Sequence, residues 1–102
     1  MTNLLKMMKQ MKEVRRLQKE LESKLYEASS ADGLVRVTVK GDMTLKTIRI
    51  DPQLLEPKEA DRLAQLIVGT INRALETSKK AAAADMAKLA GGMGGLADLL
   101  GS

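Results

Sequence analysis

The 102-residue chain contains no cysteine and no histidine. Thiolate nucleophiles, imidazole bases, disulfide frameworks and Cys/His metal clusters are therefore all excluded. Phenylalanine and tryptophan are absent as well, and Tyr26 is the lone aromatic residue, so the platforms on which single-stranded bases usually stack cannot be built. No apolar run approaches the ~18 residues of a membrane helix, and the first residues lack the basic-then-apolar layout of a signal peptide. The expectation is a protein that neither spans a membrane nor is exported. At this length one domain with a modest core is the limit.

What the chain does have is charge, unevenly placed. Lysine and arginine outnumber aspartate and glutamate by 17 to 13, a net charge of +4. Residues 1–25 carry seven basic and three acidic side chains, residues 26–72 six and seven, and residues 73–90 four and two. Basic ends around a neutral middle fit either a polyanion partner or a solvated helix surface.

Residues 3–25 are dense in Leu, Met, Lys, Glu, Gln and Arg, without Gly or Pro, and the composition predicts a helix. Its apolar residues Leu4, Met7, Met11, Val14, Leu21, Leu25 and Ala28 alternate at spacings of three and four, broken only at Gln18, which is a seam for a partner helix. Leu5, Met8 and Leu17 widen it. Small and turn-forming residues from Glu27 to Gly33 end the helix, and part of that stretch can pair as an edge strand. Leu34 to Lys40 alternates with Val35, Val37 and Val39 on one face, Gly41-Asp42 supplies a turn, and Leu45 to Asp51 returns with Ile48 and Ile50 on one side and Thr47 and Arg49 on the other. Together these form an antiparallel hairpin. Asp51-Pro52 closes the sheet. Pro57 suits the first turn of a second helix, whose apolar face is Leu63, Leu66, Ile67, Ile71, Ala74 and Leu75. Past Leu75 that face thins to alanine, Gly91-Gly92 is expected to stop the helix, and residues 91–102 read as a flexible Gly-rich tail with an apolar cluster at Leu96, Leu99 and Leu100.

The fold class is thus α+β: a long N-terminal helix, a small antiparallel sheet of two to three strands and a long C-terminal helix, forming one dimerising domain over residues 1–90. At 1.5 Å per residue the helices span roughly 35 and 50 Å, whereas a compact chain of 100 residues has a radius of gyration of about 13 Å. Such a small sheet cannot cover either helix along its length. A second copy is the simplest cover, and the seam residues Leu4, Met7, Met11, Val14, Leu21 and Leu25 are the candidate dimer interface.

The string Gly33-Leu34-Val35-x-Val37-x-Val39-x-Gly41, followed by Ile48-x-Ile50-Asp51-Pro52-x-Leu54-Leu55, resembles the YbaB/EbfC family of bacterial nucleoid-associated proteins. Ile71-Asn72-x-Ala74 and Met86 continue the likeness over most of the chain. The resemblance implies a homodimeric DNA-binding protein whose two subunits intertwine and whose helices project in pairs like tweezers. It also implies a third antiparallel strand, around Tyr26 to Ser30.

Heptad assignment of the first helix places Lys9, Lys12, Arg16 and Lys19 opposite the seam. Their span of about 15 Å suits successive phosphates of a DNA backbone. Glu13, Glu20 and Glu22 are expected to avoid this row. With Arg15, and with Lys79 and Lys80 as a second patch, these are the candidate DNA-binding residues; the bland reading is a solubilising outer face. Met7, Met8 and Met11 are expected to be ordinary core, although methionine can also form an adaptable surface for other proteins. Asp32, Asp42 and Asp51 stand at turns or strand ends, where local hydrogen bonds explain them better than a metal does. Asn72 is unusual within a helix and is expected to hydrogen-bond to the sheet or across a dimer. The reading is of a cytoplasmic, nucleoid protein that binds double-stranded DNA as a homodimer, is not an enzyme, and needs no cofactor, metal, membrane or small-molecule substrate. The alternative is a protein adaptor or chaperone-like homodimer that binds through its Met/Leu-rich helical surface.

Overall fold

The computed structural model describes residues 2–92, in the order α1 (Thr2–Ser23), β1 (Leu25–Ser29), β2 (Val35–Lys40), β3 (Leu45–Ile50), two 3-10 turns (Pro52–Leu55 and Pro57–Glu59) and α2 (Ala60–Gly92). The architecture is α+β, with one three-stranded antiparallel sheet in the order β1-β2-β3.

Helix α1 ends at Ser23 rather than running to Leu25. The Ser23 hydroxyl turns back to the Lys19 and Glu20 carbonyls (2.9 and 3.1 Å), and the next carbonyl, that of Lys24, accepts the Gly41 N–H at 2.9 Å. The chain is thereby captured into the sheet ladder. Leu25 and Ala28 consequently belong to β1 and cannot continue a helical seam. Leu25 pairs with Lys40 and Ala28 with Val37, which puts them on opposite faces of the sheet. Pro57 lies in the 3-10 turn that leads into α2, not within the helix itself. Gly91 and Gly92 are themselves helical, the last two described residues of α2; a glycine costs only about 1 kcal/mol relative to alanine in a helix. The expected tail from residue 93 on, with Leu96, Leu99 and Leu100, lies outside the described residues.

The sheet follows the period of two. Val35, Val37 and Val39 are buried, and with Leu54 and Ala74 they make the core. Each valine contributes roughly 1.5–3 kcal/mol by leaving water. Register sets Tyr26 beside Val39 on β1, and Ile48 and Ile50 beside Val37 and Val35 on β3. Between Thr38 and Val39 the ladder shifts, so that Thr47 pairs with Thr38 but Leu45 pairs with Val39, leaving Lys46 as the extra residue of a bulge. Leu45 therefore joins the core side of the sheet, although strict alternation from Thr47 would send it outward.

Helix α2 crosses β1 and β2 on that side, with Leu63, Leu66, Ile67, Ile71 and Leu75 packed against the core. Its contact face also contains Thr70 and Ser78, both buried, which the apolar pattern omitted. The Ser78 hydroxyl donates to the Lys40 carbonyl at 3.2 Å. Asn72, by contrast, lies on the exposed side of α2; the neighbouring Arg73 is the residue that reaches the sheet, through the Ser29 carbonyl.

The chain measures 69 × 24 × 15 Å with a radius of gyration of 19.7 Å, well above the roughly 13 Å of a compact domain of this size. The 22-residue α1 and the 33-residue α2 both outrun the small sheet, and on α1 Leu4, Leu5, Met7, Met8, Met11 and Val14 are all exposed in the single chain, with only Leu17 and Leu21 half-buried. The methionines expected to be core are not covered by their own subunit. At the sheet, Leu45 and Ile48 on β3, together with Leu55 and Val68, are exposed as well.

Candidate nucleic-acid interface

The basic row of α1 is a matter of helical geometry. At about 100° per residue, Lys9, Lys12, Arg16 and Lys19 fall within an arc of roughly 80°, while Met7, Met11, Val14 and Leu21 centre on the opposite side. All four basic residues are exposed, as is Arg15 at the edge of the row.

The row is not free of acid. Glu13 and Glu20 flank it, and the Arg16 guanidinium forms ion pairs with both, at 3.8 Å to Glu20 and closer to Glu13. Residues three and four apart share a helix face, so these glutamates could not avoid the row as expected. The hydrogen bond to Glu13 and then the charges of Glu13 and Glu20 raise the pKa of Arg16 above its ordinary value. Arg16 is thus partly neutralised, whereas Lys9, Lys12 and Lys19 form no ion pair among the described residues. Lys24, counted with the basic N-terminal segment, is engaged elsewhere. Its ammonium meets Asp85 of α2 at 3.0 Å, and that hydrogen bond and charge raise its pKa.

The second patch sits at the end of the sheet where α1 departs. Lys79 and Lys80 follow Ser78, which bonds to Lys40, and Lys40 pairs with Leu25 at the start of β1. Both lysines are exposed, and Lys80 lies 3.8 Å from Glu76.

The three aspartates act locally. Asp32 accepts hydrogen bonds from the Ser30 hydroxyl (2.6 Å) and the Leu34 N–H (3.1 Å), and its other oxygen meets Arg62 at 2.7 Å. The Ser30 bond, the Leu34 N–H and the Arg62 charge lower its pKa. Asp42 accepts from the hydroxyl and N–H of Thr44, which lowers its pKa too. Asp51 caps the first 3-10 turn through the Gln53 N–H at 3.0 Å. In Arg16, Lys24, Asp32 and Asp42 alike the shift favours the charged form, the opposite of what a general acid or base at neutral pH requires.

Sequence reasoning missed the long-range ion pairs Lys24–Asp85 and Asp32–Arg62. No local pattern announces a pair of residues dozens of positions apart. Among the described residues no helix is long and apolar enough to cross a membrane.

A nucleoid-associated protein of Moorella thermoacetica is 41% identical over 95 residues, covering 89% of this chain and 91% of its own length. One from Chlorobaculum tepidum is 38% identical, covering 98% and 92%. The crystal structure of an uncharacterized protein from Helicobacter pylori superposes with a TM-score of 0.57 at 28% identity, covering 88% of this chain and 98% of that one. The family model of the YbaB/EbfC DNA-binding family matches residues 1–93, and the chain belongs to that family.

Proposed function

We propose that the protein binds duplex DNA as a homodimer, mainly through phosphate contacts from its basic helix faces, and that it works in the nucleoid of the cytoplasm without catalysing a reaction. The observation that carries this reading is α1 itself, which has lysines on one side and an uncovered apolar stripe on the other. A second copy on the stripe leaves the lysines outward. The family and the names of the nucleoid-associated relatives support DNA as the polyanion.

Phosphate contacts position a duplex without reading its sequence. Each neutralised phosphate adds roughly −0.9 to the slope of log affinity against log salt, so about four engaged cations give a slope near −4. Lys12→Ala with Lys19→Ala is expected to weaken binding to all sequences by similar factors and to flatten the slope, with helicity retained because alanine is the best helix former. Gel-shift titration at two salt concentrations reads both effects. Wild-type protein that fails to retard DNA would leave the exposed Met7, Met8 and Met11 surface as the working site and make the adaptor reading the better one.

A further inference from the structure

We propose that the face of the sheet turned away from α2 is a second phosphate-binding surface, on which Arg36 and Arg49 close on the backbone of duplex DNA. This rests on the DNA-binding reading above and adds a site that the helices do not supply.

The sheet register sets Arg36 directly opposite Arg49 across β2 and β3, with Ser29 of β1 on the other side of Arg36. The next row on the same face is Glu27, Thr38 and Thr47. Directly opposed side chains in an antiparallel pair have Cβ atoms about 5 Å apart, and like charges in that position repel. Both arginines are exposed, and neither takes part in an ion pair among the described residues, whereas Arg16 and Arg62 each hold carboxylates. With Ala28 and Val37, these six residues line a hollow of about 380 Å³. An anion seated there would relieve the repulsion.

The chemistry of the lining selects phosphate. Two guanidinium forks bind phosphate oxygens bidentately, and the hydroxyls of Ser29, Thr38 and Thr47 are donors of the kind that contact DNA backbones. No aromatic residue lines the hollow, so it offers a base nothing to stack on. Nor does it carry the large apolar anchors around which protein interfaces concentrate their binding energy. Glu27 is the one carboxylate of the lining, and it opposes the anion.

Fluorescence anisotropy with a labelled duplex of random sequence tests the proposal, using the full chain. Arg36→Gln with Arg49→Gln is expected to weaken binding about tenfold at ~0.1 M salt and to make the salt slope shallower by about 1.8 per subunit, at −0.9 for each lost phosphate contact. Glu27→Gln is expected to tighten binding. Without DNA the double variant should melt higher than wild type, because the cross-strand repulsion is gone; a merely structural role would lower its Tm. Wild-type affinity and slope in the double variant, with Lys12→Ala/Lys19→Ala impaired, would overturn the sheet-face site and leave the helix reading standing. If wild type itself binds no duplex, the reading on which the proposal rests fails. Dissociation of the double variant in sedimentation would show that the face joins two copies, and displacement of the duplex by poly-glutamate at equal charge would show a carboxylate surface; either overturns the proposal. If the double variant does not fold, Arg49→Lys alone decides, since it keeps the charge but loses the fork: about threefold weaker binding at an unchanged slope is expected, and wild-type affinity refutes the role.

Discussion

Asp32 ties the β1–β2 turn to α2, and acid should loosen it. Its pKa is lowered in the folded chain, so its contribution is fully present above the ordinary carboxylate value of about 4. That contribution is lost as pH falls through the lower folded value. Asp32→Asn should therefore melt below wild type at pH 7, with the difference shrinking as pH is taken below 4; parallel melting curves across that range would contradict the assignment. Thr70 presents the reverse situation. Its hydroxyl is buried without a hydrogen-bond partner among the described residues, and such a group forfeits its hydration for nothing. Thr70→Val keeps the shape and should raise stability by about 1 kcal/mol, a Tm gain of roughly 4–8 °C. A lower Tm would mean that the hydroxyl is satisfied in the assembled protein.

At the scale of elements, the junction between α1 and the sheet decides where the long helix points. Gly41 makes it possible: a Cβ at that position would stand 1.9 Å from the Leu21 carbonyl oxygen. The obstacle is backbone, not a side chain that could swing aside. Gly41→Ala should cost about 2 kcal/mol, at the scale of overpacking, and lower Tm by roughly 10 °C. A wild-type melting temperature in that variant would show that the junction yields without cost. Lys24–Asp85 links the same junction to α2, a contact that adds little stability at this exposure.

For the whole molecule, the unbalanced quantity is apolar surface. Among the described residues five apolar ones are buried in the core, while thirteen large hydrophobic ones remain exposed. If a second copy covers that surface, Tm should rise with protein concentration. Val14→Asp with Leu21→Asp places charge on the α1 stripe, where burial against a second copy would be prohibitive. Sedimentation should give a dimer for wild type and none for this variant, accompanied by loss of α1 helicity in circular dichroism. A helical dimer formed by the double variant would dissociate the stripe from assembly.

β2 and α2 were legible because burial imposes a period, two for Val35, Val37 and Val39 and near 3.6 for α2, and α1 because it is dense in helix formers and its apolar residues recur at three and four. The chain alone thus determined the α+β class, the hairpin and the two-sided character of α1, for these depend on neighbours a few residues apart. The family likeness added the third strand. Tertiary structure decided what a period cannot encode. Capture of the Lys24 carbonyl by Gly41 ended α1 before Leu25, the bulge at Lys46 returned Leu45 to the core side, and packing brought Lys24 to Asp85 and Arg36 to Arg49. Each joins groups remote in sequence or shifts a register by one residue, and the energy of such contacts exists only once the backbone has brought the partners together.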